Sequence, residues 1–139
     1  MCFLGVKYGE KKGEFSLEYV MVAAGGMIGA LARYVLAGWV TRLNGSVFPL
    51  GTFVVNISGS LLLGLLGTLM LEKVSVDPYW RILITIGFLG SFTTFSTLQF
   101  ESLQLMETGM SGAAFINLFG SIALGLAAAW FGIVIARLI

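Results

Sequence analysis

The chain has 139 residues, of which 58% are apolar and 11% are charged, and its formal net charge is +1. Soluble domains are about 45–50% apolar and about 25% charged, so this composition excludes both a soluble globular domain and a disordered chain. A near-neutral chain without a basic cluster has no surface for nucleic acid. With no histidine and one cysteine, Cys2, imidazole catalysis and a structural zinc site are excluded, and we expect no enzyme.

The N-terminal residues differ from the rest of the chain. Residues 1–18 carry Lys7, Lys11 and Lys12 interleaved with glutamates, and we interpret them as a polar extension on the membrane surface. Four apolar stretches follow, and about 20 apolar residues suffice to cross a bilayer. We predict an all-α integral membrane protein with one four-span domain over residues 19–139. The predicted spans are at about 19–40, 50–71, 80–104 and 112–136.

The first predicted span combines small residues with one internal charge. Gly25 and Gly29 are four residues apart, as are Gly26 and Ala30. Such pairs let helix backbones approach closely in lipid, so we predict tight helix packing here. Arg33 lies about seven residues, roughly 10 Å, before the end of the span. It either extends to the interface or lines a water-filled vestibule, where it would concentrate anions.

The second and fourth predicted spans each carry a stripe of polar and small side chains. The stripes consist of Thr52, Asn56, Ser60 and Gly64 in the second span, and of Asn117, Ser121 and Gly125 in the fourth. Residues four apart share one face of a helix. Polar groups inside a membrane mark either a pathway or a contact between helices, and both interpretations stay open for Asn56.

The third predicted span contains the densest polar signal, the sequence GFLGSFTTFST over residues 87–97. Glycines and back-bonding hydroxyls favour a helix break. A break in the bilayer frees N–H and C=O groups, which are tolerated only if they face protein, water or an ion. We therefore predict a third helix broken at mid-membrane, offering carbonyls to a cation, hydroxyls to an anion, or both. The alternative is an unbroken helix with a packed Ser/Thr face.

The polar groups of these spans are mainly hydrogen-bond donors. Asn56, Ser96, Thr97 and Ser121 can replace the water around a small anion, and the edge of the Phe95 ring is electropositive. Four helices alone cannot both enclose a pore and bury these groups. We therefore expect an oligomer in which the copies share the lining.

Three motifs occur in order along the spans. They are Gly25-Gly26-x-x-Gly29-Ala30-x-x-Arg33-Tyr34, Gly51-Thr52-x-x-x-Asn56, and Gly87-x-x-Gly90-x-x-Thr93-Thr94-Phe95-Ser96-Thr97 followed by Glu101. This pattern resembles the Fluc/CrcB family of fluoride channels over about residues 20–137. The resemblance implies an antiparallel, dual-topology homodimer in the plasma or inner membrane, with two fluoride pores and a structural sodium ion at the dimer centre. The four-span domain would then be the channel domain.

The resemblance also implies roles for individual residues. The backbone carbonyls of Gly90 and Thr93 match the sodium ligands, Arg33 matches the vestibule arginine, and Glu101 matches the carboxylate near the pore end. The positions that match the fluoride pore are Asn56, Phe95, Ser96, Thr97 and Leu98, with Ser121 and Asn117 as candidates from the fourth span. Leu98 stands where the family usually has a second pore phenylalanine, which removes one electropositive ring edge.

The sequence thus predicts a passive, fluoride-selective channel that lets cytoplasmic fluoride leave the cell. One alternative is a four-span exporter of the small multidrug type, which needs a carboxylate in the membrane; Glu101 is its only remote candidate. The other alternative is a non-conducting membrane assembly protein, in which the polar stripes only join helices.

Overall fold

The computed structural model describes residues 17–139, which form four long helices joined by short turns, without a strand among them. The helices extend over Leu17–Asn44, Leu50–Lys73, Pro78–Glu107 and Ser111–Leu138, and each is long and apolar enough to cross a membrane. We call them the first to the fourth span. The prediction of an all-helical protein with four membrane spans is confirmed. Residues 1–16, most of the predicted extension, lie outside the described residues, and Leu17 and Glu18 already belong to the first helix.

The turns between the spans follow from residues that end or begin helices. Gly45 and Gly109 have φ angles of 58° and 81°, a left-handed conformation that side chains disfavour and that ends the first and third spans. The third span begins at Asp77, whose carboxylate accepts a hydrogen bond of 2.9 Å from the Tyr79 N–H. Pro78 follows at the first helical position, where its missing N–H does no harm. These short turns fix the order in which the spans cross.

The first span packs on the N-terminal half of the third span through glycines. A Cβ atom on Gly25 would collide with the carbonyl oxygen of Leu83, and one on Gly29 with that of Phe88. A Cβ atom on Gly87 would lie 2.9 Å from the carbonyl oxygen of Val22 on the facing helix. The small residues therefore allow backbone-to-backbone packing, as the sequence pattern predicts.

The second and fourth spans form a similar pair. A Cβ atom on Gly64 would meet the carbonyl oxygen of Ala129, and one on Gly132 would meet that of Leu61. Large apolar side chains, among them Leu126 with 69% of its surface exposed, cover the outside of the bundle. This surface suits contact with hydrocarbon, where packing rather than water exclusion holds helices together.

The third span is not one continuous α-helix. It begins with an α-helical turn (Pro78–Arg81) and a π-helical segment with wider turns (Ile82–Leu89). A short α-helical segment (Gly90–Phe92) and a longer α-helix (Phe95–Glu107) follow. Between the last two, Thr93 (φ −81°, ψ 154°) and Thr94 (φ −146°, ψ 121°) have extended backbones. We call these two residues the interruption. Gly87 and Gly90 are helical, so the interruption begins three residues beyond the last glycine of the motif.

The close packing of the first and third spans predicts that Gly29→Ala destabilises the protein. Its methyl group would meet the Phe88 backbone, which cannot rotate away, so the helices must separate at about 1–3 kcal/mol. Thermal unfolding in detergent measures the loss. Gly38→Ala in the same helix is the matched control, because nothing lies within 4 Å of its Cβ position. Equal unfolding temperatures for wild type, Gly29→Ala and Gly38→Ala would contradict this packing.

Candidate functional site

The interruption is held by one side chain of the second span. The Thr94 N–H donates to Asn56 Oδ1 over 2.8 Å, and Asn56 Nδ2 donates to the Thr94 carbonyl oxygen over 3.0 Å. The amide thus pairs with both backbone groups of one extended residue, as a neighbouring strand would in a sheet. Since unpaired backbone groups in a membrane cost several kcal/mol each, this contact stabilises the extended backbone. We call it the Asn56–Thr94 clamp.

The hydroxyl of Thr94 starts the helix that follows. Thr94 Oγ1 accepts from the Thr97 N–H at 3.4 Å and lies 3.0 Å from the Thr97 hydroxyl and 3.5 Å from the Ser96 hydroxyl. Such an N-cap satisfies a free N–H at the beginning of a helix. The positive end of the dipole of the Phe95–Glu107 helix therefore lies at the interruption. Three hydroxyls and this helix end together favour negative charge.

The clamp and the N-cap also divert donors from two carbonyl groups. In a continuous helix the Gly90 carbonyl would accept from the Thr94 N–H and the Thr93 carbonyl from the Thr97 N–H. Here those two N–H groups bond to Asn56 Oδ1 and to Thr94 Oγ1 instead. Gly90 is exposed and Thr93 partly exposed on the surface of the single chain. Their carbonyl oxygens are hard ligands of the kind that alkali and alkaline-earth cations accept.

One pocket, of about 350 Å³, lies beside the interruption on the side of the fourth span. Asn56, Phe95, Leu98 and Ser121 all line it. Phe95 has 62% of its surface exposed, whereas Leu98 and Ser121 are buried. The hydroxyl oxygen of Ser121 has no hydrogen-bond partner among residues 17–139. The structure therefore brings together four of the side chains predicted from sequence.

A second cleft, of about 600 Å³, lies on the side of the first span. Arg33, Thr97 and Glu101 line it, and Thr94 borders both cavities. The hydroxyl of Thr52 donates to Glu101 Oε1 over 2.7 Å, which fixes this carboxylate on the second span. An arginine in such a cleft attracts anions from solution. The interruption thus separates a cleft lined by the positively charged Arg33 from a pocket lined by the hydrogen-bond donors Asn56 and Ser121.

Two of the predicted pore residues line neither cavity. Ser96 is exposed on the surface of the single chain, next to the Thr94 hydroxyl. Asn117 is fully buried behind the pocket, where its Nδ2 donates to Ser102 Oγ over 3.0 Å. The pairing of Thr94 with Asn56 and the contact of Thr52 with Glu101 were missed from sequence. The four-residue spacing of Thr52 and Asn56 signalled a shared face but not their partners.

Comparison with known proteins gives a consistent assignment. Residues 20–133 match the family model described as "CrcB-like protein, Camphor Resistance (CrcB)". A protein of Solibacter usitatus is 43% identical over 121 residues, which cover 87% of this chain and 99% of that protein. Proteins of Acidobacterium capsulatum and Geobacter metallireducens are 41% and 44% identical over 121 residues, covering 87% of this chain and 97% and 98% of theirs.

All three relatives carry the name "Fluoride-specific ion channel FluC". The matched region includes the second and third spans, most of the first and fourth, the interruption and every predicted site residue. With the family model covering most of the chain and these relatives matched over nearly their full length, this four-span membrane protein belongs to the CrcB-like protein family.

Proposed function

We propose that this protein is a passive, fluoride-selective channel that lets fluoride leave the cytoplasm. The names of the relatives support fluoride as the ion. The single observation that carries the proposal is the Asn56–Thr94 clamp, because it stabilises a non-helical, polar stretch inside an apolar span. Neutral hydrofluoric acid crosses membranes and ionises inside the cell, so a passive channel is enough for export.

The pocket beside the interruption offers the chemistry that fluoride requires. Fluoride is a small anion that accepts hydrogen bonds, and leaving water requires replacement donors. Asn56 Nδ2 carries two hydrogens, and the bond to Thr94 uses one of them. The Ser121 hydroxyl and the electropositive edge of the Phe95 ring line the same pocket. We propose that fluoride passes these groups and the hydroxyls of Ser96 and Thr97.

Leu98 occupies the pocket at the position of the family's second pore phenylalanine. It is 3% exposed and lines the same wall as Phe95. An aliphatic side chain excludes water from this wall but provides no electropositive edge. We propose that a single ring, that of Phe95, lines the fluoride pathway in each pore.

The cleft on the other side of the interruption fits the entrance. We propose that Arg33 concentrates fluoride in this vestibule. Glu101, held by Thr52, would mark the end of the narrow pathway. A multidrug-type exporter and a non-conducting assembly protein gain no support from the names of the relatives.

We further propose that two copies assemble antiparallel in the plasma or inner membrane. Gly90, Phe95 and Ser96 are exposed at the middle of the third span of a single chain. In a monomer these polar and aromatic groups would face lipid, which is unfavourable for free backbone carbonyls. A second copy crossing at the interruption would cover them and complete the lining of two pores.

A structural sodium ion fits the centre of this assembly. The Gly90 and Thr93 carbonyls have lost their regular helical donors to the Asn56–Thr94 clamp and the Thr94 N-cap. Two copies would contribute four such oxygens, and backbone carbonyls are neutral, hard ligands for a cation of this kind. The ion would neutralise carbonyl dipoles that otherwise repel one another and would join the two chains.

Fluoride-electrode recordings on liposomes that contain the purified protein test the function directly. We expect fluoride efflux on addition of a potassium ionophore and none of chloride under the same conditions. Protein-free liposomes are the control for leakage. No fluoride efflux, or chloride efflux at the same rate, would contradict the proposed function.

The Asn56–Thr94 clamp predicts the effect of Asn56→Ala. This change leaves two backbone groups of Thr94 without partners, each worth about 1–3 kcal/mol. We therefore expect fluoride flux to fall by more than about tenfold. Asn44→Ala is the matched control, because it is the same change at the exposed end of the first span. Wild-type flux in Asn56→Ala would show that the clamp is dispensable.

The Phe95 ring predicts a second effect on flux. Phe95→Ile keeps an apolar side chain but removes the electropositive edge, which is worth about 0.5–1.5 kcal/mol, so flux should fall about threefold to tenfold. Phe100 lies on the same helix with the same exposure of 62%, and Phe100→Ile should retain wild-type flux. Similar losses in both variants would contradict a specific role for Phe95.

A further inference from the structure

A buried chain of hydrogen bonds joins the fourth span to the third behind the pocket. Asn117 Nδ2 donates to Ser102 Oγ over 3.0 Å, and Ser102 Oγ donates to the Leu98 carbonyl oxygen over 2.7 Å. Asn117, Ser102 and Leu98 have 0%, 3% and 3% of their surfaces exposed. We call these three residues the relay. It ends on the residue whose side chain lines the pocket.

The hydrogen bonds of the relay run from Asn117 through Ser102 to the Leu98 carbonyl. The Ser102 hydroxyl has a single hydrogen, which the Leu98 carbonyl receives. Its oxygen can therefore only accept from Asn117, which requires the NH₂ group and not the carbonyl oxygen of the amide at this point. Asn117 Oδ1 then points away and has no hydrogen-bond partner among residues 17–139. With the Ser102 hydrogen on the Leu98 carbonyl, a rotated amide would bring two acceptors together.

The burial of Asn117 argues against a purely space-filling role. A buried polar atom without a partner is unfavourable, and an apolar side chain with the same branching, such as leucine, would carry no such penalty. Asn117 also lies in a π-helical segment, Ile116–Gly120, and such wide turns often occur at functional sites. Ser58 and Thr85 also donate to carbonyls of their own helices. Ser102 in addition accepts a bond from another span.

The relay completes the attachment of the third span's second half. This helix, Phe95–Glu107, is held to the second span by the Asn56–Thr94 clamp and by the bond from Thr52 to Glu101. The relay adds a third attachment, from Ser102 to the fourth span, about two turns beyond Phe95. Three attachments on two neighbouring spans fix both the tilt and the rotation of a helix, which two on one span do not.

We propose that Asn117 is a positioning residue for conduction. Acting through Ser102, it fixes the Leu98 backbone and holds the Leu98 side chain against the pocket opposite Ser121. The proposal rests on the proposed fluoride flux, but it assigns Asn117 a place behind the pathway rather than in it.

Fluoride flux through Ser102→Ala and Ser102→Thr tests the relay. Removing the hydroxyl leaves the buried Asn117 amide unpaired, and we expect flux to fall about threefold to tenfold. Asn117→Leu should produce a similar loss, and Ser102→Thr should restore flux because it keeps the hydroxyl. Ser58→Ala is the matched control, since that hydroxyl bonds to its own helix. Wild-type flux in Ser102→Ala would overturn the proposal.

A double-mutant comparison separates positioning from general stability. If the relay acts through Leu98, Ser102→Ala should lower flux in the wild-type background but have little further effect when Leu98→Ala is already present. A purely structural role of Ser102 would give the same fold-loss in both backgrounds, and that result would overturn the proposal.

A labelling experiment tests the relay even if the wild-type protein passes no fluoride. The single cysteine is replaced by Cys2→Ser, and Leu98→Cys introduces a thiol at the pocket. We expect a small membrane-permeant maleimide to react about threefold to tenfold faster after Ser102→Ala, because position 98 is then released. Equal rates with and without Ser102→Ala would overturn the relay, whereas absent wild-type flux alone would overturn only the proposed function.

Discussion

The structure depends on how an extended piece of backbone is satisfied inside an apolar bundle. Every N–H and C=O group at membrane depth needs a partner, and helices normally provide it within the segment. At Thr94 the partner is the side-chain amide of Asn56, which pairs with both backbone groups of that residue. This amide matches the donor and acceptor of one peptide residue, so a single side chain can replace two helical hydrogen bonds.

The same interaction explains the chemistry on both sides of the interruption. Because the Thr94 N–H turns to Asn56, the Gly90 carbonyl loses its regular donor, and because Thr94 caps the next helix, the Thr93 carbonyl loses its donor too. Two carbonyls without their helical donors and an anion-favouring helix start therefore arise from one change in backbone direction. In our proposal a second copy of the chain covers this surface, and the two copies share a sodium ion.

The sequence was most informative where function and packing depend on local spacing. The four spans and the glycine contacts of Gly25 and Gly29 follow from apolar length and four-residue spacing. That Asn56 and Phe95 would line one pocket was predicted from the motifs that resemble the Fluc/CrcB family. Periodicity gave the stripe that contains Asn56 but not its partner Thr94, which lies 38 residues further along the chain. Glycines suggested where the third helix would be weak, yet Gly87 serves close packing. Only tertiary contacts decide between these roles.

Solid-state NMR of the isotopically labelled protein in lipid bilayers tests the central claim most directly. Carbon chemical shifts report the backbone conformation of Thr93 and Thr94, and through-space transfer reports contact between the Asn56 amide and the Thr94 carbonyl. The account predicts extended-backbone shifts at both threonines and a cross-peak between Asn56 Nδ2 and the Thr94 carbonyl carbon. Helical shifts through Thr93 and Thr94 without that cross-peak would contradict it.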